Sequence, residues 1–154
     1  VPGYPNGRIL SPTEGPGFLI AYTPSNPGAG ADLTYAVPTN TRWRIQSFGG
    51  NFIASAAVAN RYIKIGFNSS VGYLWLGEAL IAVTASQNIL LYAAAIQPYT
   101  AAEASRFFIP LPPGIFLLQS AGLAMTVSTL TGSIQAGDTW SGFSLLVEEW
   151  LDNV

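Results

Sequence analysis

Short runs in which apolar and polar residues alternate, spaced about 8–12 residues apart by clusters of Gly, Pro, Asn and Ser, constrain this chain more than any other feature. A period of two puts alternate side chains on opposite faces of a strand. Leu33, Tyr35 and Val37 alternate up to Pro38. Trp43, Ile45 and Ser47 alternate with Arg42, Arg44 and Gln46, and Ile63, Ile65 and Phe67 with Tyr62, Lys64 and Gly66. Phe107, Ile109 and Leu111 lead to the Pro112-Pro113-Gly114 turn. Residues 73–76, 79–84, 115–119 and 122–130 read as further strands, and Phe143, Leu145 and Val147 belong to the longest one. Gly49-Gly50 predicts a bulge or bend before Phe52 and Ile53. Residues 88–97 are apolar on both faces and predict a central, covered strand, with a helix as rival because of three alanines. Residues 101–105 have room for one helical turn.

About eight to ten strands with turn residues between them predict an all-β fold. The expected architecture is an antiparallel β-sandwich, jelly-roll-like because of its long loops, with a closed barrel as the neighbouring solution. No repeat of 20–50 residues is visible, which argues against a propeller or solenoid.

Composition changes near residue 31. Residues 1–30 hold six of the 11 prolines and six of the 16 glycines, so this stretch cannot be a helix or a central strand. It reads as an extended N-terminal arm, with residues 31–154 forming the sandwich domain. The arm carries Tyr4, Ile9, Leu10, Phe18, Leu19, Ile20 and Tyr22. These side chains call for an apolar surface, either on their own domain or on a neighbouring subunit, with a disordered arm as the remaining alternative. Val1-Pro2-Gly3 has neither the basic start nor the apolar core of a signal peptide, and the missing initiator Met suggests processing.

Charged residues make up 9% of the chain, against about a quarter in an ordinary soluble domain. The exterior must therefore consist of Ser, Thr, Asn, Gln, Gly and small apolar groups. Such a surface loses little on leaving water and suits burial against other copies or a larger body. Six basic residues and a net charge of −2 argue against nucleic-acid binding. The most apolar stretch, Ala79 to Ile96, is broken by Thr84, Ser86, Gln87 and Asn88, so no membrane helix is expected.

The tools of catalysis are few. The chain has no His and no Cys, which removes the usual general base, the thiol nucleophile and the commonest metal ligands. No nucleophile elbow, phosphate loop or dinucleotide fingerprint occurs. A glycosidase-type carboxylate pair is the residual option, but Glu148 and Glu149 are neighbours on one strand and point apart. The chain is expected not to be an enzyme and to need no cofactor or metal. Asp138 in its Gly-rich loop is a lone oxygen ligand and is discounted. Glu148 or Glu149 is expected to pair with Arg42, Arg44, Arg61 or Arg106, or to stand as a solvated charge guarding a sheet edge. Tyr73 and Trp75, placed on one face by their spacing, are the best guess for a sugar-stacking platform, although sandwich cores routinely hold such rings. Asn68-Ser69-Ser70 fits the glycosylation pattern but lacks a secretory context.

Three segments occur in order: Val37-Pro38-Thr39-Asn40-Thr41-Arg42-Trp43-Arg44-Ile45-Gln46-Ser47, then Ile109-Pro110-Leu111-Pro112-Pro113-Gly114, then Ala136-Gly137-Asp138 with the closing Leu145-Leu146-Val147-Glu148-Glu149-Trp150. Together, over residues 37–151, they resemble small β-sandwich structural proteins of tailed bacteriophage virions, such as capsid decoration (cement) proteins and head or tail accessory proteins. The resemblance implies a jelly-roll-like module, dimeric or trimeric, made in the host cytoplasm and bound to the major capsid protein or other virion subunits on the capsid surface, with the arm as its clamp. Two other classes compete: a carbohydrate-binding or receptor-binding module, and a small shell-forming jelly-roll capsid protein. The last usually carries a basic arm, and this arm has only Arg8.

Overall fold

The computed structural model describes residues 17–69, 71–95, 105–118, 124–129 (backbone only) and 134–151. Ten strands form, and no helix occurs among the described residues. They are β1 (Phe18–Tyr22), β2 (Leu33–Ala36), β3 (Thr41–Ile53), β4 (Ile63–Ser69), β5 (Gly72–Glu78), β6 (Asn88–Ala94), β7 (Arg106–Pro110), β8 (Leu117–Leu118), β9 (Ala124–Thr129) and β10 (Thr139–Leu151). The all-β expectation holds. The predicted helical turn falls on residues that lie, apart from Ser105, outside the described ones.

Sheet A runs β1-β10-β3-β6-β7, with β8 also on β3, and sheet B runs β2-β9-β4-β5. All pairings are antiparallel except β6–β7, which is parallel and makes sheet A mixed. Early strands pair with late ones in nested order: β1 with β10, β2 with β9, β3 with β6, β4 with β5. A single hydrophobic cluster draws on both sheets. Sheet A supplies Trp43, Phe52, Leu91, Phe107 and Trp140, and sheet B supplies Leu33, Ile63, Ile65 and Phe67. Fully burying each such side chain contributes about 1.5–3 kcal/mol.

Two irregularities set which residues reach that core. In β3, Leu146 faces Ser47 while Val147 faces Ile45, so Gln46 is unmatched and the inward phase moves from Ile45 to Phe48. The simple alternation would have put Ser47 inside. In β10, Gly142 and Phe143 together oppose Gly50. Gly142 has φ 63°, a left-handed conformation natural to glycine in a bulge of this kind. The bulge lets both Trp140 and Phe143, three positions apart, face inward. Gly50 is the complement, since a Cβ there would stand 2.6 Å from the Phe143 ring. The Gly49-Gly50 pair therefore receives a bulge from its partner strand rather than making one.

Two other expectations change. β5 runs through Gly77 without a break, and residues 79–84 contribute only the isolated bridge of Val83 to Arg61. β6 is a central strand, but only Ile89, Leu91 and Ala93 are buried, so just one of its apolar faces is covered. Within the segment read as an arm, Phe18–Tyr22 is an edge strand on β10. Proline and glycine flank it rather than interrupt it.

Candidate interaction surface

The outward face of sheet A follows from the strand registers. One row crosses five strands as Ala21, Leu146, Ser47, Ala94 and Pro110. The next runs Ser144, Gly49, Tyr92 and Phe108, then Ser141, Asn51, Leu90 and Arg106, then Thr139, Ile53 and Asn88. Arg106, at a corner, is the only charged side chain in these four rows. Antiparallel sheets with one solvated face normally alternate apolar-in with charged or polar-out. Here Leu146, Tyr92 and Ile53 are exposed at 36%, 43% and 41%. Tyr92 and Phe108 stack at 5.7 Å, and Gly49 leaves the Tyr92 ring free to lie across β3. The result is a surface of apolar and small polar groups that has little hydration to lose.

Charge collects at one end of this sheet. Glu148 is buried and accepts from the Gly17 N–H at 2.9 Å, Arg44 Nε at 2.9 Å and Gln46 Nε2 at 3.0 Å, with Arg44 Nη2 also bonded to it. Burial alone would push its carboxyl up, but these donors hold it below the ordinary carboxylate value. Glu149 faces the other way and accepts from Trp43 Nε1 and the Tyr22 hydroxyl. Burial and that neighbouring carboxylate push the Tyr22 hydroxyl up to about 12. The two glutamates thus point apart, as expected, and the pairing expected of them with an arginine is made by Glu148 with Arg44. The Arg42 and Arg44 guanidiniums lie 5.4–5.7 Å from the Phe116 and Trp150 rings, which meet edge to face.

A second ionic node ties loops together at the end of the fold. Asp138 accepts from Ser55 N and Oγ, Arg61 Nε and Nη2, and Gln135 N, all at 2.7–2.9 Å. Arg61 also donates to the carbonyls of Ala57 and Ala59. Both side chains are fully buried. Every carboxylate lone pair in use by a protein donor is one a metal cannot take, and no cluster of potential metal ligands occurs among the described residues. This node holds structure together.

The sequence-derived site residues scatter. Tyr4, Ile9 and Leu10 lie outside the described residues. Ile20 and Tyr22 pack against the core of their own domain, whereas Phe18 and Leu19 are 74% and 67% exposed. Tyr73 and Trp75 do not share a face. Trp75 is opposite Phe67 and Tyr73 opposite Asn68, with Leu74 unmatched between them. That bulge sends Trp75 inward onto Phe67, ring centroids 5.2 Å apart, and Tyr73 outward over Gly66. The proposed two-ring platform is therefore broken. Trp75 instead walls a cleft of about 380 Å³ with Leu76, Gly77, Glu78, Leu80, Ile109 and Pro110, between β5 and β7. Asn68, of the glycosylation pattern, is half-buried on β4.

Leu146, Phe108 and Leu90 were not singled out by the sequence pattern, and Tyr92 was considered only as a possible sugar-stacking ring. The available signal was the two-faced apolarity of residues 88–97, which suggested cover on both sides rather than an uncovered outer face. No helix among the described residues is long and apolar enough to cross a membrane. No protein-family model, curated protein or solved structure matches the chain.

Proposed function

We propose that this chain is a non-enzymatic structural subunit of a larger assembly, a decoration-type virion protein that lays the outer face of sheet A on the major capsid protein or another virion subunit. The observation that carries the reading is the set of four outer rows whose only charged side chain is the corner Arg106. A domain that met only water on this face would gain solubility from charge there at no cost to its core. Burying the face against protein removes apolar surface and leaves no ion to desolvate. A contact of this kind holds across a wide range of salt.

The nested pairing supports the jelly-roll form of this reading. Eight strands ordered β1-β10-β3-β6 and β2-β9-β4-β5 are those of one long hairpin rolled into two sheets. A hydrophobic cluster fed from both sheets fits their packing face to face as a sandwich. β7 and β8 are then additions between the sixth and seventh strands of the roll.

The test is occupancy of empty shells, built from the capsid protein of the virus that encodes the chain, by wild type and by Tyr92→Lys and Leu146→Lys. Both positions are surface ones, so the variants should fold as judged by circular dichroism. Each introduces an uncompensated cation into the contact and should weaken occupancy about tenfold or more. Wild-type occupancy by both variants would remove sheet A from the contact.

A further inference from the structure

Sheet edges offer unpaired backbone groups, and folded chains usually guard them with charge, proline or brevity. β7 begins at Arg106 and ends at Pro110, and β2 has four residues before Val37-Pro38. β5, the outer edge of sheet B, has no such guard along its middle, where Tyr73, Leu74 and Leu76 are 49%, 55% and 43% exposed. Val71, Leu80 and Ile81 extend the apolar edge at 94%, 74% and 46%. β1 is also unguarded, but the nearby Glu148 and Arg44 already pair with each other.

A cation beside β5 narrows what the edge can take. Lys64, the only lysine in the sequence, is 8% exposed on β4. Its ammonium lies 5.6 Å from the centre of the Tyr73 ring, and no carboxylate ion pair forms with it among the described residues. Glu78, its register partner on β5, is exposed and does not bond to it. A lysine whose stem is buried, and whose ammonium has a ring but no carboxylate beside it among the described residues, can donate to a carboxylate brought by a second copy.

We infer that two copies of this chain join along β5, antiparallel about a two-fold axis, with Glu78 of each copy brought to the Lys64–Tyr73 site of the other. The inference rests on the reading of the chain as an assembly subunit and names one contact in it. A two-fold makes both ion pairs from one. Lys64 and Glu78 are register partners, as are Gly66 and Leu76, so all four lie on one face of sheet B. A two-fold normal to the sheet keeps that face continuous across both copies. Glu78 is the only charged residue on β5, so the edges meet with no other charges to oppose them.

The experiment couples Lys64 to nearby carboxylates with a zero-length carbodiimide in an equal mixture of unlabelled and heavy-nitrogen-labelled full-length chain. Peptide mass mapping should find Lys64–Glu78 links, with mixed-label pairs as frequent as same-label ones. Same-label links alone would place the pair within one chain and overturn the inference, as would the absence of links. In sedimentation, Lys64→Glu and Glu78→Lys should each weaken self-association about tenfold or more, and the double exchange should restore it. A wild type that stays monomeric would equally overturn it. Wild type that occupies shells without forming mixed-label links would refute this contact and leave the role of sheet A standing. Mixed-label links with bare shells would do the reverse.

Discussion

Replacing Asp138 by Asn keeps the shape of the loop node and removes its charge. The Arg61 guanidinium would then remain fully buried with no anion beside it. Breaking a buried pair on one side costs about 3–5 kcal/mol, because the surviving charge has lost its compensation while staying out of water. For a chain of this size each kcal/mol lowers Tm by about 2–4 °C, so Asp138→Asn should lose roughly 6–20 °C. Urea titration with circular dichroism checks the free energy directly, and the midpoint should fall with little change of slope. A companion variant, Asp138→Leu with Arg61→Met, should be less destabilised than either single change, since it leaves no orphan charge. The pH profile carries the same information. Burial would raise the Asp138 carboxyl, but the donors from Arg61, Gln135 and Ser55 hold it at about 2, below its ordinary 3.8. A depressed carboxylate stabilises fully above the unfolded value, and that part of the stability is lost as pH falls from about 4 through about 2. The amount at stake is about 2 kcal/mol. A loss below about 1 kcal/mol in Asp138→Asn, together with an unchanged acid limb, would refute the view that this pair locks the loops.

The bulges and rings give further tests. Gly50→Ala should destabilise by about 1–3 kcal/mol, because a Cβ meets the buried Phe143 ring at 2.6 Å, as chemical denaturation would show. Gly66→Ala should cost less, since the Tyr73 ring it meets is half exposed and can swing aside. Gly142→Ala should cost about 1 kcal/mol through its positive φ, and a loss no larger than at an exposed extended site would count against the bulge. Trp140→Phe removes an indole N–H that is buried without an acceptor, so its denaturation midpoint should fall by less than the lost volume implies. In an alkaline absorbance titration Tyr22 should ionise near pH 12, and Glu149→Gln should bring it down.

Much of the fold was legible because a strand writes its own period. Ile63-Ile65-Phe67 and Phe107-Ile109 needed no neighbours to declare their buried faces, and the turns at Pro112-Pro113-Gly114 and Gly137-Asp138 declared the breaks. The all-β class, the long last strand and the divergence of Glu148 and Glu149 followed from that local rule. The low charge pointed to a covered exterior without saying which part was covered.

Pairing lay beyond the reach of local pattern. Whether Ser47 or Phe48 enters the core depends on Gln46 having no partner on β10, and whether Tyr73 joins Trp75 depends on Leu74 having none on β4. A bulge exists only between two strands, so one strand read alone keeps its phase and places the wrong side chain inside. The run of four outer rows with Arg106 as their one charge is likewise a property of rows assembled from β1, β10, β3, β6 and β7, residues up to 125 positions apart in the chain, as Ala21 and Leu146 are. Composition set how little charge there was to distribute. Only the register decided that Arg44 and Glu148 would lie at one end of sheet A, Arg61 and Asp138 in the loop node, and Lys64 and Glu78 beside β5, leaving Arg106 as the one charged side chain of the four outer rows.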